Sequence, residues 1–344
     1  MKSPWVSPFL LCALGLAAPR LPAAGTPQTL ARHEASRMSM ACAYAIVAYG
    51  DDAGALPRIL EAAFDEVDRI DRLMSHYKAE SPLSRLNRDA ASGPVAVEPE
   101  LFDFIAECLR YSRESGGALD ITVGPLMKTW GFFRGGGRLP SAQEVEEVRG
   151  RIGYAHVVLD ATSRTIRFDR PGVELDLGGI AKGYAVDRVV DLLRREHVAA
   201  ALVSAGGSTI YGLGAPPGQE AWNVDIQDPM DSGRVALTVP LKDRALSVSG
   251  RSEKSFERDG IVYSHIMDPR TARPVPGILS VAVLTSTGTA GDALDDALFV
   301  QGVDRSRAYL QRLPATEAIF FLPDTKRAWK MVRLHFTAGR STTP

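Results

Sequence analysis

Three aspartates crowd a short run near the end of the chain, Gly291-Asp292-Ala293-Leu294-Asp295-Asp296-Ala297-Leu298. On a helix, positions i, i+3 and i+4 share a face, so the side chains of Asp292, Asp295 and Asp296 converge. Like charges at this spacing repel by roughly a few tenths of a kcal/mol per pair unless a cation lies among them. Hard carboxylate oxygens suit Mg²⁺, which takes one or two carboxylates and completes its shell with substrate phosphates. The competing reading is structural: acids near a helix N-terminus are favoured by the helix dipole whatever the function.

A second stretch, residues 173–187, carries Asp176 and Lys182 on either side of the pair Gly178-Gly179. Apolar residues alternate before the glycines, and Ala181, Ala185, Val189 and Leu192 recur at helical spacing behind them. The pattern predicts a strand, a tight turn and a helix start. Glycines let the backbone approach a ligand closely, and the free N–H groups and positive end of a helix attract phosphate or pyrophosphate. The spacing is neither G-x-G-x-x-G nor the P-loop pattern. A glycine turn that only packs a helix on a sheet is the alternative. His265 stands at a predicted strand end before the Asp268-Pro269 turn, a position from which a histidine can act as general base. No G-x-S-x-G, H-E-x-x-H or C-x-x-C motif is present, which argues against a serine hydrolase, a zincin or a thiol oxidoreductase.

These groups must be positioned by a chain of 344 residues with 40 basic and 41 acidic side chains, for a net charge of −1. Neither a basic stripe nor an acidic tail marks a nucleic-acid binder or a disordered activation segment. Lys2, the apolar run over residues 9–18 and the small residues Ala23-Ala24-Gly25 read as a secretory signal peptide over residues 1–24, too short to span a bilayer. Cys12 follows Leu11, which argues against lipoprotein processing there. The mature chain, residues 25–344, keeps Cys42 and Cys108. An exported protein could oxidise that pair, but Cys108 shares a helical face with Leu101, Phe104 and Ile105 and reads as a buried, inert thiol.

Residues 26–37 are polar and read as loosely ordered, and residues 40–49 as a buried strand. Pro57 opens an amphipathic helix with Leu60, Phe64, Val67, Ile70 and Met74 on one face. Residues 75–87 read as loop, 98–115 as a helix, and 117–126 with Trp130-Gly131-Phe132 as a ligand-facing turn. A glycine-rich loop at 134–138 and a short acidic helix at 141–150 follow. Strands are predicted near 156–159, 166–168, 200–203, 222–226, 234–239, 245–249, 263–265, 278–284 and 317–322, with a helix over 291–300. Strands and helices mix without strict alternation, so the expected fold class is α+β, one domain.

Taken together, several segments resemble the FAD:protein FMN transferase (ApbE) family. They are Ser75-His76-Tyr77 with Ser84-Arg85-Leu86-Asn87, Ala118-Leu119-Asp120-Ile121-Thr122 with Trp130-Gly131-Phe132, and Asp176-Leu177-Gly178-Gly179-Ile180-Ala181-Lys182-Gly183. Ser204-Ala205-Gly206-Gly207, His265-Ile266-Met267-Asp268-Pro269-Arg270 and Asp292-Ala293-Leu294 complete the set, in the family's order and over nearly the whole mature chain. The resemblance implies mixed sheets and helices around a central FAD cleft. It also implies an exported, periplasmic enzyme, peripheral to the inner membrane, that uses Mg²⁺ to move FMN from FAD to a threonine or serine hydroxyl and releases AMP. The implied acceptor is another flavoprotein, such as a subunit of a membrane electron-transport complex; no nucleic acid is involved.

By the same resemblance, Met40, Tyr77, Ala118, Leu119, Asp120, Asp176, Lys182 and Met267 contact FAD. The Gly179 carbonyl and the side chains of Asp292, Asp295 and Asp296 hold the metal. His265 or one of the acidic residues, Asp292 among them, would serve as base. Two alternatives share these residues: an FAD pyrophosphatase, with water as nucleophile, and a non-catalytic flavin binder. The chain departs from the family pattern in carrying Asp296 where threonine is usual, Met40-Ala41-Cys42 for Met-Gly-Thr, and Gly179 for alanine or threonine.

Overall fold

The computed structural model describes residues 30–251 and 253–335; the signal-peptide expectation lies outside them. Its centre is an eight-stranded antiparallel sheet whose spatial order follows the chain. The strands are β1 (Ala31–Ser39), β2 (Cys42–Gly50), β3 (Ala200–Ala205), β4 (Thr209–Leu213), β5 (Arg244–Gly250), β6 (Ser280–Thr285), β7 (Glu317–Pro323) and β8 (Trp329–Leu334). The helices are α1 (Leu56–Met74), α2 (Pro82–Asp89), α3 (Pro99–Glu114), α4 (Gly124–Thr129), α5 (Ala142–Arg149), α6 (Ala181–Arg195) and α7 (Gly288–Leu310).

Strand alternation explains why the central strands are apolar throughout. On β6, Val281 and Val283 join the core shared with α1, α3, α6 and α7, while Ala282 and Leu284 join a second core. That second core includes Trp222, Val224 and Ile226 from a hairpin over 222–241. Both faces of the sheet are therefore covered, and period-2 patterning gives way to a continuous apolar run. A smaller cluster of Leu126, Trp130, Phe132, Val145, Val148 and Met267 lies beside these cores. The architecture is α+β, as the mixed pattern predicts.

Three expectations need correction. Residues 31–39 form the edge strand β1 and are not loose. Only alternate residues turn inward, and Arg37 ties the strand to α1 through Glu61, Asp65 and Asp68 at 2.5, 2.7 and 3.0 Å. Ion pairing thus replaces the apolar signal that sequence reading depends on. Residues 82–89 within the expected loop are the helix α2, begun by Pro82 and capped by Ser81, whose hydroxyl accepts the Ser84 N–H at 3.0 Å. Met40 is not in a strand: with Ala41 it makes the two-residue β1–β2 turn, at φ 48° and 60°. That conformation favours glycine, so Ala41 costs about 1–2 kcal/mol at a site where the family pattern has glycine.

Candidate active site

The stretch before the glycine pair is extended but pairs with no strand, contrary to expectation. A side chain does the strand's work. Asn87 on α2 donates Nδ2–H to the Leu175 carbonyl at 2.9 Å, and its Oδ1 accepts the Leu175 N–H at 2.8 Å. The Asp176 N–H then donates to the Ile121 carbonyl at 2.7 Å. This fixes Asp176, whose Oδ1 accepts the Gly178 N–H at 2.8 Å and lies 3.3 Å from His76 Nδ1. Asn87→Ala leaves both Leu175 groups unpaired. We expect a loss of about 2–4 kcal/mol, at the usual cost per orphaned buried group, read as a shifted midpoint in chemical denaturation.

Behind the glycines, α6 runs directly against the start of α7. A Cβ on Gly183 would lie 2.2 Å from the Gly288 carbonyl oxygen, so only glycine allows this approach. Asp187, one turn along α6, accepts the N–H groups of Gly288 and Thr289 at 2.6 and 2.8 Å and the Thr289 hydroxyl at 2.6 Å. Burial raises its carboxyl to about 6. Asp187 thereby satisfies N–H groups at the N-terminus of α7 and locks the two helices in register.

This contact brings the two chemical stretches together. Asp292 Oδ2 accepts the Gly183 N–H at 2.6 Å, and a Cβ on Gly179 would sit 2.6 Å from Asp296 Oδ2. Strands β4 and β5 supply hydroxyls: Thr209 and Ser247 reach Asp292 Oδ1 at 2.6 and 2.7 Å, and Ser249 reaches Asp296 Oδ1 at 2.6 Å. The Ser247 oxygen is also 2.7 Å from Asp295 Oδ2. A hydroxyl has one proton to donate, so with Asp292 ionised one of these two contacts requires a protonated Asp295 as donor. Burial, with Asp296 and Asp292 adding to it, pushes the Asp295 carboxyl well up, in agreement. Burial likewise raises Asp292, and raises Asp296 to about 7. Lys182 Nζ donates to Ser208 Oγ at 2.5 Å. Burial pulls its ammonium down, but Asp292 and the other acids outweigh that and leave it raised, hence charged.

The trio shares one neighbourhood: Asp292 and Asp295 meet at the Ser247 hydroxyl, and Asp296 turns to Ser249. Among the described residues no three His, Cys, Asp or Glu side chains are gathered as a ready metal cage. The donor chemistry nonetheless suits a divalent cation: three acidic side chains gather near one ammonium, and the Asp296 carboxylate comes so close to Gly179 that a Cβ there would meet its Oδ2 at 2.6 Å.

His265 is half-buried, its Nδ1 3.1 Å from the Lys254 carbonyl. Burial lowers it to about 4, so it is neutral at pH 7. Tyr77 remains 41% exposed and burial lifts its phenol to about 12. Other expected contacts are turned inward. Ala118 and Leu119 belong to the main core and Met267 packs with Trp130 and Phe132, so their side chains are committed to packing. Asp120 is buried and occupied: it accepts the Thr122 N–H and hydroxyl at 2.9 and 2.6 Å and the Tyr154 N–H at 2.7 Å. Met40 is half-buried and accepts the Tyr44 hydroxyl at 3.2 Å. Cys42 and Cys108 are free thiols, and Cys108 is fully buried.

Asn87, Asp187, Thr209, Ser247 and Ser249 were given no role by sequence reasoning. For Ser247 and Ser249 a signal exists: residues two apart on a strand share a face.

A single α+β domain with a glycine corner clasped to an aspartate-bearing helix and one lysine beside them has the makings of a phosphate-handling enzyme. The ApbE family model matches residues 40–320. The FAD:protein FMN transferase of Treponema pallidum is 34% identical over 282 residues, 78% of each chain, and that of Escherichia coli K12 is 32% identical over 273 residues, 76% of each. Among solved structures, the ApbE protein of Thermotoga maritima superposes with a TM-score of 0.81 at 29% identity, covering 88% of this chain and 97% of that one. The flavin transferase ApbE of Vibrio cholerae gives 0.79 at 28%, covering 89% and 97%. The chain belongs to the ApbE family.

Proposed function

We propose that this enzyme transfers FMN from FAD to a threonine or serine hydroxyl of an exported or membrane flavoprotein, with Mg²⁺ as cofactor and AMP as the leaving group. The observation that supports the reading is the meeting of the Gly178-Gly179 corner with the aspartates of α7, where a diphosphate and a cation would lie together. Residues suited to holding Mg²⁺ are Asp292, Asp295 and Asp296 with the Gly179 carbonyl; the ion, when bound, neutralises charge on the phosphate oxygens. The N-terminus of α6 faces the same corner, and Lys182 adds a fixed positive charge where negative charge builds up during transfer.

With a carbonyl at Nδ1, His265 carries its proton on that nitrogen and offers Nε2 as acceptor. The acceptor hydroxyl gives its proton to Nε2 as its oxygen bonds to the FMN phosphorus, and the bond from that phosphorus to the AMP oxygen breaks. The signal-peptide reading of residues 1–24 supports export, so the acceptor would meet this enzyme outside the cytoplasm.

Incubation with FAD, Mg²⁺ and a candidate acceptor tests the reading. Fluorescent acceptor and AMP are expected; free FMN would indicate hydrolysis by water, and intact FAD a binding protein only. His265→Asn should lower transfer about 100-fold or more, the usual worth of a general base, while FAD binding stays within about twofold by the same reasoning. An unchanged rate would remove His265 from the mechanism.

A further inference from the structure

One charged side chain of the site is left without an opposite charge in contact. Lys182, the second residue of α6, is half-buried, and Asp292, Glu253 and Asp295 lie near enough to favour its protonated form. Yet among the described residues it makes no ion pair, and its one hydrogen bond goes to a neutral partner, the Ser208 hydroxyl at 2.5 Å. An ammonium carries three N–H donors, so two stay unused. The flexible four-carbon stem of lysine lets such a charge close on a neighbouring carboxylate, and away from bulk water that contact is worth more than in it.

Two features keep the charges apart. Asp292 is already satisfied by neutral donors, the Gly183 N–H and the Thr209 and Ser247 hydroxyls. Ser208, next in the chain to Thr209, gives the ammonium a fixed acceptor instead. Its hydroxyl leans toward the Ala205 carbonyl at 3.4 Å, which leaves the oxygen lone pairs to Lys182. Its backbone is pinned on both sides: the N–H donates to the Ala205 carbonyl at 3.3 Å, and the carbonyl accepts the Val248 N–H of β5 at 2.8 Å. The glycines before it, Gly206 and Gly207, take φ of 61° and 76°, and the Gly206 N–H donates to the Ala43 carbonyl at 2.9 Å. Two adjacent residues at one tied-down turn therefore hold the opposite charges of the site, Thr209 the acid and Ser208 the ammonium.

We propose that Ser208 is a positioning residue: it tethers the Lys182 ammonium away from Asp292, so that the two free N–H groups are kept for the diphosphate of the substrate and Asp292 is kept for the metal. This rests on the transfer reading above and adds one residue to it, acting through Lys182. Without the tether the ammonium closes on Asp292 or Glu253. Each charge then cancels the other, and both are lost to the phosphate and the cation they would serve.

The test uses the full mature chain, with Mg²⁺-ADP as the diphosphate probe in calorimetry and FAD turnover as the rate. Ser208→Ala should weaken Mg²⁺-ADP binding about tenfold, the worth of one hydrogen bond to a charged group. It should also raise the Mg²⁺ concentration for half-maximal turnover, because the released ammonium competes for Asp292. Ser208→Thr keeps the hydroxyl and should restore both. In a Lys182→Met background, Ser208→Ala should change Mg²⁺-ADP affinity by less than about twofold, since nothing remains to tether. Binding reads this cycle even where Lys182→Met turns over no FAD. A merely structural serine would weaken binding by the same factor in both backgrounds, and that result overturns the proposal. Parent-like binding and Mg²⁺ dependence in Ser208→Ala overturn it too, as does a parent protein that binds no Mg²⁺-ADP. Absence of FAD turnover by the parent, with the binding cycle as expected, would instead remove the function on which the proposal rests.

Discussion

Gly183→Ala should destabilise this protein by about 3 kcal/mol or more, the upper range for forcing a methyl group into a packed interior, and abolish flavin transfer. The added Cβ would lie 2.2 Å from the Gly288 oxygen, 2.4 Å from the Gly288 carbonyl carbon and 2.8 Å from the Thr289 nitrogen. All three are backbone atoms, so no rotamer change can relieve the clash; α6 and α7 must separate. Separation breaks the Asp187 bonds to Gly288 and Thr289 and the bond from Gly183 N–H to Asp292. Thermal unfolding should show a midpoint lowered by about 5 °C or more. Gly93→Ala, which meets nothing within 4 Å, is the matched control and should leave both stability and rate unchanged.

The glycine dependence shows what a sequence can and cannot reveal. Glycine at 178, 179 and 183 announces close approach, and the i, i+3, i+4 spacing of the aspartates announces a shared face; both are local patterns. That the two patterns face each other is a tertiary fact, made by β4 and β5 and by Asp187, and no local signal encodes it. The helices were legible because apolar periodicity over three or more turns is strong in α1, α3 and α6. Strand β1 was not, since its inward positions are Ala31, His33, Ala35 and Arg37, and Arg37 holds it to α1 through ion pairs and by lying over the Phe64 ring. The extended run before Gly178 read as a strand because its alternation is real, but its partner is one amide side chain, Asn87. Met40 fell on the wrong side of a turn boundary because two L-residues with positive φ leave no glycine to mark it.

Asp292→Asn should keep the fold and still lose transfer by about 100-fold or more, the scale on which removing one electrostatic contact at a reacting centre acts. In the native protein each group hydrogen-bonded to this carboxylate among the described residues is a donor: the Gly183 N–H on Oδ2, and the Thr209 and Ser247 hydroxyls on Oδ1. An ionised aspartate, which only accepts, satisfies all three. The amide of asparagine must turn its NH₂ toward one side. The Gly183 N–H is fixed by the helix, whereas hydroxyls rotate, so the amide oxygen should stay with Gly183 and the NH₂ face Thr209 and Ser247. That rearrangement costs about 1–3 kcal/mol, the range for a disturbed buried hydrogen bond, and leaves the α6–α7 contact intact. The negative charge disappears, however. Lys182 loses the acid that does most to keep it charged, and the cation site proposed above loses one of its ligands. FAD binding measured without Mg²⁺ should therefore change little, while the Mg²⁺ concentration for half-maximal rate rises. Asp292→Ala gives the contrasting result: with all three donors orphaned, it should fail to fold. If Asp292→Asn turned over at the parent rate in limiting Mg²⁺, Asp292 would be a structural acceptor alone and the cation would have to be held elsewhere.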